Sequence, residues 1–175
     1  MTAPEFSRPL RIDTLGEAAR RMTVEAGQAE RIGLARRFGL IGIDRLTADL
    51  ALTRTGADIA MGGTLCARVV QACVATGAPL PAEIEAPFDL EFRPQPDPAE
   101  RGDEVELGAA ELDIIFYDEG SIDVGEAVAE TLLLNLDPYP RAPGAEGALK
   151  EAGVKSEAEA GPFGALAGLR DRLNK

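Results

Sequence analysis

Residues 63–94 read GTLCARVVQACVATGAPLPAEIEAPFDLEFRP, and their reading decides the fold. In the second half, Ile84, Ala86, Phe88, Leu90 and Phe92 take alternate positions while Glu83, Glu85, Asp89 and Glu91 stand between them. A period of two with one apolar and one acidic set describes a strand with one face in a core and the other in water. In the first half, Leu65, Ala67 and Val69 alternate with Cys66, Arg68 and Val70. The Gly77-Ala78-Pro79 break joins the two halves as a hairpin.

The same period extends upstream. Leu46, Ala48, Leu50 and Leu52 alternate with Thr47, Asp49, Ala51 and Thr53, Gly56 marks a turn, and Ile59 and Met61 resume the pattern. Gly62-Gly63 then reads as a turn or bulge before the central pair. Further back, Gln28–Phe38 is helical, with Ile32, Leu34, Ala35 and Phe38 at mixed three and four spacings and Gly39 placed as a C-cap. Arg31, Arg36 and Arg37 lie along this helix, where cations near the C-terminus are favoured by the dipole. Leu10 with Ile12, and Met22 with Val24, give only short strand patterns, and residues 1–9 read as a loose tail.

Downstream, PQPDPAERGDEVE (residues 94–106) carries three prolines and reads as an exposed connector, because proline donates no ladder hydrogen bond. Leu112, Ile114 and Phe116 alternate with Asp113, Ile115 and Tyr117 in a last strand, after which Asp118-Glu119-Gly120 turns the chain. Asp123 and Glu126 have capping-box spacing for a helix through Val124, Val128, Thr131, Leu132 and Leu136 that stops before Pro138. The Leu132-Leu133-Leu134 run predicts deep packing on at least one side.

The architecture expected is α+β: a mainly antiparallel sheet of about five or six strands with two principal helices and a tethered C-terminal helix. In this reading the sheet is either open or curled towards a barrel. Residues 1–140 form a single globular domain in this reading. Residues 141–161, rich in Pro, Gly, Ala and Glu, form a flexible linker. Residues 162–175 form an amphipathic helix with Phe163, Leu166, Leu169 and Leu173 on one face, which must bury that stripe on the sheet or in a partner's groove.

Composition narrows function. The chain has no histidine, so the usual general base at neutral pH and the commonest transition-metal ligand are missing. Its two cysteines, Cys66 and Cys73, lack zinc-knuckle spacing. There is no apolar run of transmembrane length and no secretory leader pattern, so the expected location is the cytoplasm. Net charge is −12, and residues 83–130 hold sixteen Asp/Glu against Arg93 and Arg101. A block this acidic repels phosphate backbones and favours a basic partner, although a solvated face that maintains solubility explains it equally well. The carboxylates Asp113, Asp118, Glu119 and Asp123 are dense enough for a divalent metal, yet strand polarity, turn chemistry and a helix N-cap explain each one separately. No phosphate loop, local nucleophile signature or aromatic stacking platform is present. Neither a catalytic residue nor a cofactor is indicated.

Several segments together resemble the YceD family, the large ribosomal RNA subunit accumulation proteins, in their alphaproteobacterial form. They are VVQACVAT (Val69–Thr76) followed by IEAPFDLEF, then IDVGEAVAETLLLNLDPYPRAPG (Ile122–Gly144), and PFGALAGL (Pro162–Leu169). The motif positions are Gln71, Cys73, Thr76, Asp123, Glu130, Pro138 and Pro140. The resemblance implies a small cytosolic factor in large-subunit biogenesis, associated indirectly with 23S ribosomal RNA and with no established reaction. Relatives look as though they carry Cys-x-x-Cys at the central turn and a further Cys after the helix. Here Cys73 matches the first, Thr76 replaces the second, and residues 141–150 contain no cysteine. The resemblance therefore implies no metal site in this chain.

Three functional readings follow. The first is a non-enzymatic assembly factor that holds a basic ribosomal protein or large-subunit assembly factor, with Glu83, Glu85, Asp89 and Glu91 as the acidic contact and Phe163, Leu166 and Leu169 as an apolar one. The second is direct ribosomal RNA binding through Arg31, Arg36 and Arg37, helped by Arg20 and Arg21, which the anionic whole disfavours. The third is a metal-dependent hydrolase built on Asp118, Glu119 and Asp123. Neither DNA nor a membrane is an expected partner.

Overall fold

The computed structural model describes residues 4–96, 113–118 and 120–154. These fall into two compact units, one drawn from Met1–Gln71 and Pro81–Asp137, the other from Ala72–Leu80 and Pro138–Lys175.

The larger unit is built on the two long strands β3 (Gly42–Thr55) and β4 (Asp58–Ala72). They pair antiparallel in a continuous register from Arg45↔Arg68 to Thr55↔Asp58. Gly56, at φ 64°, takes the left-handed conformation that the two-residue hairpin turn demands. Leu46, Leu52, Leu65 and Val69 are fully buried along one face, as the alternation requires. Gly62 and Gly63 do not turn the chain, contrary to expectation: both lie inside β4. A side chain at Gly63 would collide with the Asp49 carbonyl and the Leu50 Cα of β3, and one at Gly62 with the Asp89 carboxylate. Close backbone approach explains Gly63, whereas at Gly62 it is the Asp89 side chain that occupies the space.

β2 (Arg20–Glu25) pairs antiparallel with β3 and forms one edge. β5 (Pro79–Pro94) lies beside β4. Arg68 meets Glu83 while Gly62 meets Asp89, so the two strands run in opposite directions. β6 (Asp113–Tyr117) joins β5 in parallel, from Leu90↔Asp113 to Pro94↔Tyr117. Among the described residues the order β2-β3-β4-β5-β6 leaves β2 and β6 as edges, so this sheet is open and not a closed barrel. A separate two-stranded ribbon pairs β1 (Pro9–Arg11) with β7 (Ser121–Asp123).

Two helices supply the other half of the core. α1 (Gln28–Phe38) contributes Leu34 and Ala35 and ends at Gly39, whose φ of 66° is the left-handed cap expected. α2 (Val124–Leu134) contributes Val124, Ala127, Val128 and Leu132. These residues form one cluster with the inward side chains of β3, β4 and β5 and with Phe6. Both helices therefore pack on the same face of the sheet. Asp123 caps α2 by accepting from the N–H groups of Gly125 and Glu126, both at 3.1 Å. The leucine run is packed only at Leu132, since Leu133 and Leu134 are exposed on the helix surface.

In the smaller unit, residues 73–78 form a tight turn in which Cys73 N–H donates to Ala78 O and Gly77 N–H donates to Cys73 O, each at 2.8 Å. α3 (Ala145–Glu151) lies within the stretch read as a linker and starts after Gly144, at φ 85°. The C-terminal helix expected over 162–175, with Phe163, Leu166 and Leu169, lies outside the described residues.

Candidate functional site

Burial along β5 alternates as the sequence requires. Ala86, Phe88, Leu90 and Phe92 enter the core, whereas Glu83, Glu85 and Asp89 are exposed on the opposite face and Glu91 is partly exposed. With α1 and α2 on the inner face, this acidic row projects from the outer one. Two of its members have cationic partners. Arg68 donates to Glu83 Oε1 at 2.5 Å, and Arg93 makes two 2.9 Å hydrogen bonds to Glu91 that hold its carboxyl below the usual range. Both pairs are at the surface, where ion pairs contribute roughly 0–1 kcal/mol and exchange readily. Glu85 and Asp89 make no ion pair among the described residues.

The row continues around the β6 edge. β6 directs Ile115 and Tyr117 towards the core and leaves Phe116 52% exposed opposite Arg93, a position that alternation alone does not distinguish from an inward one. Phe116, Asp118, Glu126 and Glu130 line a groove of about 240 Å³ floored by Phe92 and Ile115. Burial, followed by the negative charge of Glu126, raises the Glu130 carboxyl above its ordinary value. An exposed aromatic ring flanked by carboxylates can take an apolar anchor together with lysine or arginine.

The arginines of α1 separate into different roles. Arg37 binds Glu126 through 3.0 and 2.5 Å hydrogen bonds and reaches Glu5 at 3.3 Å. It is a strut between helices, with its donors turned to protein carboxylates. Arg31 donates to the Ala26 carbonyl at 2.6 Å, and the Arg36 side chain has no hydrogen bond or ion pair among the described residues. The cluster proposed from sequence as an RNA contact is thus divided.

Asp123 is also committed to structure. Its carboxylate accepts from Ser7 Oγ at 2.5 Å and from the Arg8 N–H at 2.8 Å besides capping α2. Among the described residues no group of three or more Cys, Asp or Glu is placed to hold a metal ion. Glu119 lies outside them.

The remaining motif positions are structural where the chain is described. Buried Gln71 donates from Nε2 to the Asp137 carbonyl at 2.8 Å, fixing the end of the segment that leads into Pro138. In the smaller unit, Val74 N–H donates to Pro140 O at 2.9 Å, and Ala142 N–H donates to Cys73 Sγ at 3.3 Å. The Thr76 hydroxyl donates to the same sulfur and, with the Ala142 amide, lowers the thiol from about 9 to about 7. A single thiol is not a metal donor set, and among the described residues no further ligands are grouped with it.

Two features of the site escaped the sequence reading. One is Phe116 as an outward residue. The other is the meeting of β6 with α2, which brings Asp118 and Glu130 into one groove.

A family model described as large ribosomal RNA subunit accumulation protein YceD matches residues 61–170, which include β5, β6, α2 and the Cys73 turn. No curated protein and no solved structure matches the chain.

Proposed function

The chain belongs to the YceD family of large ribosomal RNA subunit accumulation proteins, and on that premise we propose that it acts as a non-enzymatic cytoplasmic factor that holds a basic ribosomal protein or assembly factor on its acidic surface. The observation that carries this reading is the outward row on β5, where Glu85 and Asp89 stand exposed with no ion pair among the described residues, continued at the sheet edge by Phe116. Carboxylates steer and select a basic partner, and an exposed aromatic supplies the apolar anchor around which such interfaces gain most of their affinity. The pairs Arg68–Glu83 and Arg93–Glu91 are exposed enough to open when a partner brings its own cations.

Direct RNA binding is disfavoured on two grounds. Arg37 is bound to Glu126 and Glu5, and the chain as a whole is at −12. A phosphate backbone approaching such a molecule gains little from counterion release. The test is a low-salt binding titration of the purified protein against purified large-subunit ribosomal proteins and against a 23S ribosomal RNA fragment. Capture of a basic protein, weakened by Glu85→Lys with Asp89→Lys, is the expected result. Capture of RNA alone would reject the reading.

A further inference from the structure

The surface where α1 gives way to β3 has the opposite character to the acidic face. Arg31, Ile32, Ala35 and Arg36 stand on one side of α1, at the i, i+1, i+4, i+5 spacing that places side chains together. The left-handed Gly39 cap then returns the chain so that Ile41 lies across from them, and Ile43 and Asp44 at the start of β3 complete the lining of a groove of about 430 Å³. Ile32 is 47% exposed and Ile41 55%, so the groove presents two branched aliphatic side chains to solvent.

Backbone hydrogen bonds hold this arrangement in place. Leu40 N–H donates to Ala35 O and Ile41 N–H donates to Val70 O, both at 2.8 Å, so the groove is preorganised. Its cations are available. Arg31 is positioned by the Ala26 carbonyl, which does not neutralise it, and Arg36 has no carboxylate partner among the described residues. Asp44 is the one carboxylate of the lining among the described residues.

We propose that this groove docks an acidic peptide segment of another protein, with an aliphatic side chain held between Ile32 and Ile41 and carboxylates at Arg31 and Arg36. Charge complementarity selects the occupant. A basic segment is repelled by the two guanidinium groups, and among the described residues the lining offers no aromatic ring on which a nucleic-acid base could stack. The groove is separate from the acidic surface, so it can be engaged whether or not that surface is.

The test uses fluorescence anisotropy on the full chain with four labelled probes: a short peptide of Glu and Asp with Leu at helical spacing, the same peptide with Ser for Leu, a Lys version retaining Leu, and a single-stranded RNA oligonucleotide. The acidic Leu peptide should bind with the highest affinity and lose affinity as salt rises. Arg36→Glu and Ile41→Ser should each weaken it about tenfold or more, whereas Arg21→Glu on β2 should not. Arg36→Ala and Ile32→Ser serve as milder variants, with circular dichroism reporting their folding. Equal binding of the Ser peptide, preference for the Lys peptide or the RNA, or indifference to both Arg36→Glu and Ile41→Ser would overturn the proposal.

Discussion

Arg37 of α1 and Glu126 of α2 are joined by two hydrogen bonds, 3.0 and 2.5 Å, across 89 positions of sequence. The pair is partly exposed, so its contribution is limited by solvent screening to about 1 kcal/mol. Arg37→Ala and Glu126→Gln should each lower the melting temperature by about 2–4 °C. Arg37→Ala should leave capture of a basic protein by Glu85 and Asp89 intact, because its guanidinium is no part of the outward row on β5. Loss of an RNA-binding activity in Arg37→Ala with unchanged melting would assign the arginine a different role.

Gly63 is held against β3 so closely that any side chain meets the Asp49 carbonyl. Gly63→Ala should therefore destabilise the larger unit by about 3 kcal/mol, the upper part of the range for overpacking. Gly125, where a side chain would strike the Phe6 carbonyl, should behave similarly. Gly147, with open space around it, is the control, and denaturant melts compare the three.

Cys73 gives a pH dependence with a definite sign. Its thiol titrates at about 7 against about 9 when unperturbed, chiefly through the Thr76 hydroxyl and the Ala142 amide. A depressed pKa means that the folded state holds the thiolate more readily than the unfolded state does. The resulting stabilisation is complete above pH 9 and is lost as pH falls through 7. In a Cys66→Ser background, thiolate absorbance should rise around pH 7, and Thr76→Val should move that rise upward. A transition unmoved by Thr76→Val would contradict the assigned cause.

Strand existence was legible from alternation because each face of β3, β4 and β5 has a single environment. Leu46 to Leu52, Leu65 to Val69 and Ala86 to Phe92 read directly as core. The Gly39 cap and the Asp123 N-cap were legible for the same local reason: their chemistry acts within one turn. What depends on distant partners was not legible. Gly62-Gly63 resembles a turn until β3 is placed beside it, and Glu126 resembles half of a capping box until Arg37 reaches it. Phe116 and Ile115 are equally apolar in sequence, and only the parallel pairing of β6 with β5 decides which faces water. The acidic row was visible in advance, but its partial neutralisation by Arg68 and Arg93 was not.

Phe116 separates an anchored interface from a purely electrostatic one. Phe116→Ala should weaken capture of a basic partner by about tenfold or more while leaving the salt slope unchanged. Glu85→Lys with Asp89→Lys should flatten that slope. Both variants should melt as the parent does, because their side chains are outside the core. An unchanged affinity in Phe116→Ala would remove the ring from the interface.

The most direct measurement is zero-length carboxyl-to-amine crosslinking in cells that express the tagged protein, followed by mass spectrometry. Glu85, Asp89, Asp118 or Glu130 should be joined to lysines of a large-subunit ribosomal protein or assembly factor, and the crosslinks should disappear in Glu85→Lys with Asp89→Lys. If these carboxylates yield no such crosslinks while ultraviolet crosslinking joins Arg31 or Arg36 to ribosomal RNA, the acidic surface is not where this chain meets its partner.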